Sequence, residues 1–492
     1  MSALKLSKYI FICLCFLMMC FVMLKVPFDP DLGWHLANGK YLLEHNLRIP
    51  KTDIYSYTMS DFPAVMHEWV TDIFMYLIYQ YLGLIGLVVV FTLLAVCAFI
   101  LVARIVKAPF EYQMIAALLG LIASVPILGA RAQMITLLGI SIVLFIIYRY
   151  RENQASRSIY FLPLVFLIWV NLHGGFISGF FILGVFLIFE LLKIIYKKLY
   201  LKLKNKSISF RVFKLPAWGK LTVFSFISLL ATLINPYTYK VYQEIYRTLT
   251  DTYAREVILE WMPLSLQNPM SHRFILYLAL LVLLVIFAYK KIDLTYLGIS
   301  AVFIYFPFAS WRHLPLFMLI TIPYWVYITQ YLVGERLLKI VRSKIFLILF
   351  LIAVVIICFQ KISPLVRVGN SVVKLAQETH YPYQAIQYLK EHPAPGNMYN
   401  EYNWGGFLIW QYPEGKVFID GRMAHWEMNG VRILKESQDV IRLQNWQAVF
   451  GKYDVRWCLV YRDSAIAIVL RSMPDKWEEV YHDDLASVFV KK

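Results

Sequence analysis

Hydrophobic residues along this chain fall in long, nearly unbroken runs, not in the alternating or one-face patterns of soluble strands and helices. A membrane-crossing helix needs roughly 20 mainly apolar residues. About eleven stretches approach that, centred near Leu17, Val90, Leu118, Ile142, Val165, Leu183, Ser228, Leu281, Phe303, Ile320 and Val354. The first, from about Tyr9 to Val26, follows Lys5 and Lys8 and lacks a small-residue cleavage site, so it reads as a retained span and not as a signal-peptide core. Two regions break the pattern. One is a long polar loop, about residues 27–81. The other is a tail of about 130 residues after Lys361, where turn signals (Pro393 to Gly396, Pro413 to Gly415) separate short apolar runs such as Lys416–Asp420 and Val455–Tyr461. The tail ends in an expected β-hairpin, Trp477–His482 and Leu485–Val490. The expected architecture is a polytopic α-helical membrane protein of about 11 transmembrane helices over 1–363, followed by a soluble extracytoplasmic α/β domain over 364–492.

Composition agrees: 60% of the 492 residues are hydrophobic and only 16% charged, against about a quarter charged in soluble domains. Collagen-like, disordered and disulfide-scaffold classes are excluded. Five of the six cysteines lie in apolar runs and Cys458 is alone in the tail, so no disulfide framework is available there. The net charge is +17, yet from Leu365 onward 15 basic residues meet 15 acidic ones, so the whole excess lies before the tail. It concentrates in one alternating set of loops: Lys5/Lys8, Arg104/Lys107, Arg149/Arg151/Arg157, Lys193 to Lys220, Lys290/Lys291 and Arg336 to Lys344. Such loops stay in the cytoplasm. The N-terminus is therefore expected inside and the tail outside. The charge is a topology signal toward anionic membrane lipid and not a sign of nucleic-acid binding. No GxxxxGK[ST] and no strand-linked GxGxxG occurs, which leaves nucleotide binding without support.

Under this topology the unusual polar residues of the membrane part fall on the outer side. The first loop opens with Asp29, Pro30, Asp31 and His35 and closes with His67, Glu68 and Trp69. Asp31 fits the cap of a short helix running to about Glu44; two acids and a histidine so close to a boundary also suit a general base or a divalent-metal site. His67 and Glu68 lack the second histidine of a zinc helix motif, and Trp34 and Trp69 suit an interfacial belt. Further outer turns carry Arg131, Asn171 with His173, and Arg312 with His313. Arginine forks suit phosphate, although any single one also fits snorkelling from a helix end. Ionisable groups at membrane depth usually line a cavity or a path. In the tail, Asp420, Gly421 and Arg422 read as a strand end, followed by a left-handed glycine turn and a surface Asp–Arg pair.

The run Asp29-Pro-Asp-Leu-Gly-Trp-His35, the stretch from Pro50 through Asp53 and Ser56 to Thr58, His67-Glu-Trp69, Trp169 to Gly175, Trp404-Gly-Gly406 and Phe418 to Arg422 together look like a group of bacterial polytopic proteins. That group resembles the GT-C glycosyltransferase superfamily, which includes the protein O-mannosyltransferases and the aminoarabinose transferases. The resemblance covers most of the chain. It implies an inner-membrane (cytoplasmic-membrane) protein of GT-C-like architecture, a polyprenyl-phosphate-linked sugar donor and inverting transfer outside the cytoplasm to a glycan, lipid or protein acceptor. It also implies a catalytic acid in the first outer loop, with a divalent metal as an open question. Only Asp29 and Asp31 match the acidic position, and they stand as Asp-Pro-Asp in place of the usual acidic doublet, so either could be the base or a metal ligand. Arg131 and Arg312 would bind the lipid phosphate, with His35, His67, Glu68, Asn171, His173 and His313 shaping the substrate site. The competing readings are a lipid-linked glycan polymerase or ligase, a transporter, whose inverted repeats are not visible here, and a non-catalytic assembly subunit.

Overall fold

The computed structural model describes residues 3–27, 29–204, 212–269 and 271–492. It is mostly helical with a small sheet, and it divides into two compact units. The first comprises Met1–Lys25, Val88–Val241 and Arg255–Pro364; the second comprises Val26–Leu87, Tyr242–Ala254 and Leu365–Lys492. By contact, then, the first loop and the start of the helix that follows it group with the tail.

Among the described residues, five helices are long and apolar enough to cross a membrane: Lys5–Met23, Trp69–Ala103, Gln133–Glu152, Phe176–Leu199 and Lys344–Val368. A sixth appears if Trp311–Leu332 and Glu335–Val341, bent by 102° where Gly334 adopts a φ of 54°, count as one span. The other apolar helices are shorter: Phe110–Ser124, Arg157–Leu172, Leu215–Ala231, Ser271–Phe287 and Leu294–Ala309. At 1.5 Å per residue, helices of 10–17 residues fall short of a hydrocarbon core about 30 Å thick. The expected count of about eleven is therefore not reached on length and composition. Hydropathy alone marks each apolar run without saying where the helix breaks inside it.

In the first unit, Phe110–Ser124 packs against Leu314–Leu332, with Gly120 directly under Ile322. Lys344–Val368 is different, because only 6% of its apolar window is buried. Arg151, which the sequence places in a basic surface loop, is buried: it lies 2.6 Å from Asp293 and 3.2 Å from Glu190, and Glu190 also meets Lys193 at 2.9 Å.

In the second unit, Asn397–Asn400 pairs in parallel with Val455–Tyr461, which pairs antiparallel with Ala486–Lys491; Trp477–His482 closes the sheet. The expected hairpin and the Val455 strand are present. Lys416–Asp420 forms no strand: Val417 instead makes an isolated bridge to Ser56 of the first loop. Around it, Val417 N–H donates to Tyr55 O (3.0 Å), Thr58 Oγ1 to Phe418 O (2.6 Å) and the Tyr57 hydroxyl to Met398 O (2.8 Å). The loop thus satisfies backbone groups that a buried tail segment would otherwise leave unpaired. Helix Leu32–Glu44 lies on Gly405–Gln411, and two glycines set the distance. A Cβ on Gly33 would come within 2.1 Å of Gly406 O, and one on Gly406 within 2.2 Å of Pro30 O. Trp34, Trp404, Leu408 and Trp457 share the core beneath.

Candidate functional site

The first-loop helix runs Leu32–Glu44 as expected, but Asp31 makes no side-chain cap. Its Oδ1 accepts the Trp34 indole N–H at 2.9 Å, and the Asp31 N–H donates to Asp29 Oδ1 at 3.1 Å. The turn is held by its own acids, and Asp29 is buried. Gly421 presses against it: a Cβ there would meet Asp31 Oδ1 at 2.0 Å. The glycine serves this close approach, since its φ is not positive, and the expected left-handed turn is absent.

One turn into the helix, His35 faces the start of helix Trp69–Ala103. His35 Nδ1–H donates to Asp72 Oδ1 at 2.6 Å, while Nε2 lies 3.6 Å from Glu68 Oε2. Asp72 Oδ2 accepts from Asn38 Nδ2 at 3.0 Å. His35 and Asn38 sit at i and i+3 on one helix, Glu68 and Asp72 at i and i+4, so two facing turns bring the four side chains together. Burial alone would lower the His35 pKa; the hydrogen bond to Asp72 and the charges of Asp72, Glu68 and Asp31 outweigh it and raise the pKa to about 9. A metal-free His35 therefore holds its proton at neutral pH and acts as a charge partner, which leaves the role of base to a carboxylate.

The cluster continues outward. His67 Nε2 lies 3.5 Å from Glu68 Oε1, and His425 Nε2 lies 2.7 Å from Glu244 Oε1. Burial would raise the Glu244 pKa, yet the bond to His425 and the nearby His67 and Arg247 bring it below its ordinary value. Among the described residues, His35, Glu68 and Asp72 form a group able to hold a metal ion, with one ligand atom from each lying within 4.8 Å of the others. Neither Asp29 nor Asp31 belongs to that group. One imidazole nitrogen with carboxylate oxygens is a donor set that divalent zinc accepts. Asp72, already bonded to the opposite ring nitrogen, occupies the orienting position common behind metal-bound histidines.

A second buried set lies in the same unit. Arg422 donates to both oxygens of Asp420 (2.8 and 2.7 Å) and to Asp53 Oδ1 (2.8 Å), while Asp53 Oδ2 accepts the Ser56 N–H at 2.7 Å. The guanidinium lies 4.9 Å from the Tyr55 ring centroid and 5.4 Å from that of Trp426. The surface Asp–Arg pair expected from sequence is thus a buried frame that joins the first loop to the tail.

The remaining residues proposed from sequence belong to the first unit. Arg131 pairs with Glu260 at 2.7 Å, and Arg312 lies 4.9 Å from the Trp261 ring centroid. Asn171 Nδ2 donates to Leu167 O and Ile234 O, at 2.9 and 3.0 Å. His173 Nδ1 accepts from the Gly175 N–H at 2.8 Å and lies 2.7 Å from Thr136 Oγ1. A backbone N–H can only donate, so a neutral His173 carries its proton on Nε2. Gly175 is required there, since a Cβ would meet Thr136 Oγ1 at 2.2 Å. His313 Nδ1 is buried, with no hydrogen-bond partner among the described residues.

The structure thus brings His35, His67 and Glu68 together and adds Asn38, Asp72, Glu244 and His425, which sequence reasoning missed. Asp72 left a signal: it is an acid inside the amphipathic stretch Val70 to Ile78, four residues after Glu68. Glu244 and His425 left none, because their meeting depends on segments 181 residues apart.

No protein-family model matches the chain, and no curated relative does. Among solved structures, the chain is similar to the Archaeoglobus fulgidus oligosaccharyltransferase in complex with zinc and sulfate, at 13% identity and a TM-score of 0.48, over 94% of this chain and 68% of that one. A likeness at that level assigns no function.

Proposed function

We propose that this chain is an integral-membrane glycosyltransferase of the GT-C type, transferring a sugar from a polyprenyl-phosphate-linked donor to a hydroxyl-bearing acceptor on the outer side of the membrane. The observation that carries the reading is the buried Asp72–His35–Glu68 centre, one helical turn from the Asp29–Asp31 turn, in a chain whose other helices are mostly apolar. Asp31 acts on His35 electrostatically, so turn and centre form one electrostatic group.

In this reading Asp29 or Asp31 takes the proton of the acceptor hydroxyl. The oxygen attacks the anomeric carbon from the face opposite the phosphate, the bond from that carbon to the phosphate oxygen breaks, and its electron pair leaves with the lipid phosphate. The sugar carbon inverts. Positioned general-base catalysis of this kind contributes typically 10²–10⁴-fold. Arg131 and Arg312 are the arginines assigned from the sequence to the leaving phosphate. A divalent cation, when bound by His35 Nε2 and Glu68 with Asp72 orienting the imidazole, would supply charge neutralisation.

The test is transfer from a polyprenyl-phosphate-linked sugar by purified protein in lipid nanodiscs. The double variant Asp29→Asn/Asp31→Asn is expected to fall to background while its melting temperature stays within a few degrees of the parent. Full activity in that variant sinks the assignment.

A further inference from the structure

The Asp31 carboxylate is set at one oxygen from two sides. Oδ1 accepts the Trp34 indole N–H at 2.9 Å, and the same Oδ1 would lie 2.0 Å from a Cβ on Gly421. The indole draws the oxygen in. The glycine makes room for it, since Oδ1 occupies the place where any other residue at 421 would carry its side chain. Both supports are themselves fixed. Trp34 is buried among Ala376, Trp404 and Leu408, and a Cβ on Gly406 would come within 3.3 Å of its Cδ1. Gly421 lies between Asp420 and Arg422, whose side chains bond to each other at 2.7 Å and, from Arg422, to Asp53 at 2.8 Å. The two aspartates of the turn differ: Asp29 is buried and its Oδ1 receives the Asp31 N–H at 3.1 Å, whereas Asp31 is half-buried.

A general base acts only within hydrogen-bond reach of the proton it takes, and a misplacement of about 1 Å can cost about 100-fold in rate. We infer that Trp34 and Gly421 are positioning residues for Asp31, and that the tail thereby forms one wall of the catalytic centre. Asp31 is then the acid that reacts, and Asp29 supports the turn. This inference rests on reading the turn as the source of the general base. It gives two tail motifs one purpose: Phe418 to Arg422 makes room for the carboxylate, and Trp404 to Gly406 seats the indole that holds it. Gly421→Ala probes this selectively. The glycine's φ is not positive, so its backbone accepts alanine. A carbon and an oxygen keep roughly 3 Å apart, so Oδ1 must retreat by about 1 Å and leave the indole N–H. The next nearest atoms are Asp31 Cγ at 3.2 Å and Trp34 Nε1 at 3.7 Å, so the new methyl presses on side chains and not on backbone.

The experiment uses the full chain in nanodiscs, labelled with 5-fluorotryptophan, with the Trp34 fluorine resonance identified by its loss in Trp34→Phe. Turnover is read as release of polyprenyl phosphate from a panel of polyprenyl-phosphate-linked hexoses with hexyl glycosides as acceptors. Asp31→Asn marks the loss of the carboxylate, and Gly451→Ala, where an added Cβ meets nothing within 4 Å, is the control. Gly421→Ala is expected to move the Trp34 resonance, to melt within a few degrees of the parent and to lower kcat about 100-fold. The donor KM should stay within about threefold of the parent. Gly451→Ala should do none of this. Two results overturn the inference: a Trp34 resonance unmoved by Gly421→Ala, or a moved resonance with unaltered kcat. Should Gly421→Ala unfold the protein, Trp34→Phe decides, since it removes the indole N–H and keeps an aromatic ring; unaltered kcat in that variant overturns the inference. If the parent transfers no sugar while its Trp34 resonance follows Gly421→Ala, the transferase reading falls and the hold on Asp31 stands.

Discussion

The second unit contains two buried clusters of similar make-up that are organised in opposite ways. Around Arg422, every carboxylate oxygen of Asp420 and Asp53 receives a hydrogen bond, and two aromatic rings cover the guanidinium. Around Asp72, the contacts loosen with distance from the carboxylate: 2.6 Å to His35, then 3.6 and 3.5 Å on either side of Glu68, and the carbonyl of neighbouring Asn38 has no partner among the described residues. Buried polar networks specify a fold when every member is satisfied. The first cluster meets that condition and works as a joint between the loop and the tail. The second does not, and unpaired groups are retained where a ligand completes them.

The largest effect that would test this contrast is at Arg422. Arg422→Met leaves two buried carboxylates without their cation, which costs about 3–5 kcal/mol. A large drop in melting temperature and protease cleavage within the first loop are expected; a melt unchanged from the parent would mean that the frame is no joint.

Next in size is another buried acid, Glu401, whose charged form is favoured by the Tyr461 backbone and not by a cation. Burial raises its pKa from 4.5 to about 7. The folded chain then keeps a proton that the unfolded chain has released, so stability falls as pH rises from about 4.5 to about 7, by on the order of 3 kcal/mol. Glu401→Gln should flatten that part of the stability profile, and melts between pH 4 and 8 would show whether it does.

The smallest effect on stability is expected at the open cluster. Asp72→Asn keeps the shape and an acceptor for His35, and a His35 deprived of its counter-charge can release its proton, so the melt should move less than in Arg422→Met. Loss of the orienting charge should still cost roughly 10–100-fold in metal affinity or turnover. If Asp72→Asn unfolds the protein as Arg422→Met does, the two clusters are of one kind.

Local features of this fold were legible in the sequence. The Leu32–Glu44 helix, the Val455–Tyr461 strand and the terminal hairpin follow from turn residues and short-range pattern. His35, His67 and Glu68 were legible as candidates because ionisable residues are conspicuous in so apolar a chain. What was not legible depends on distant segments meeting. The run from Pro50 to Thr58 stood out only through the resemblance and the run from Phe418 to Arg422 only as a turn, and each proves to be the other's partner through Asp53–Arg422 and Ser56–Val417. Gly33, Gly406 and Gly421 gave no sign of being close approaches, because a glycine's spacing records nothing of what presses against it.

The central claim is that the open cluster is where substrate chemistry happens. The most direct measurement is an electron cryomicroscopy structure of the full chain in nanodiscs with a non-hydrolysable polyprenyl-phosphonate sugar. The account predicts sugar density against the His35, Glu68 and Asp72 cluster, within reach of the Asp29–Asp31 turn. Sugar density elsewhere, with the His35, Glu68 and Asp72 cluster left without it, would contradict it.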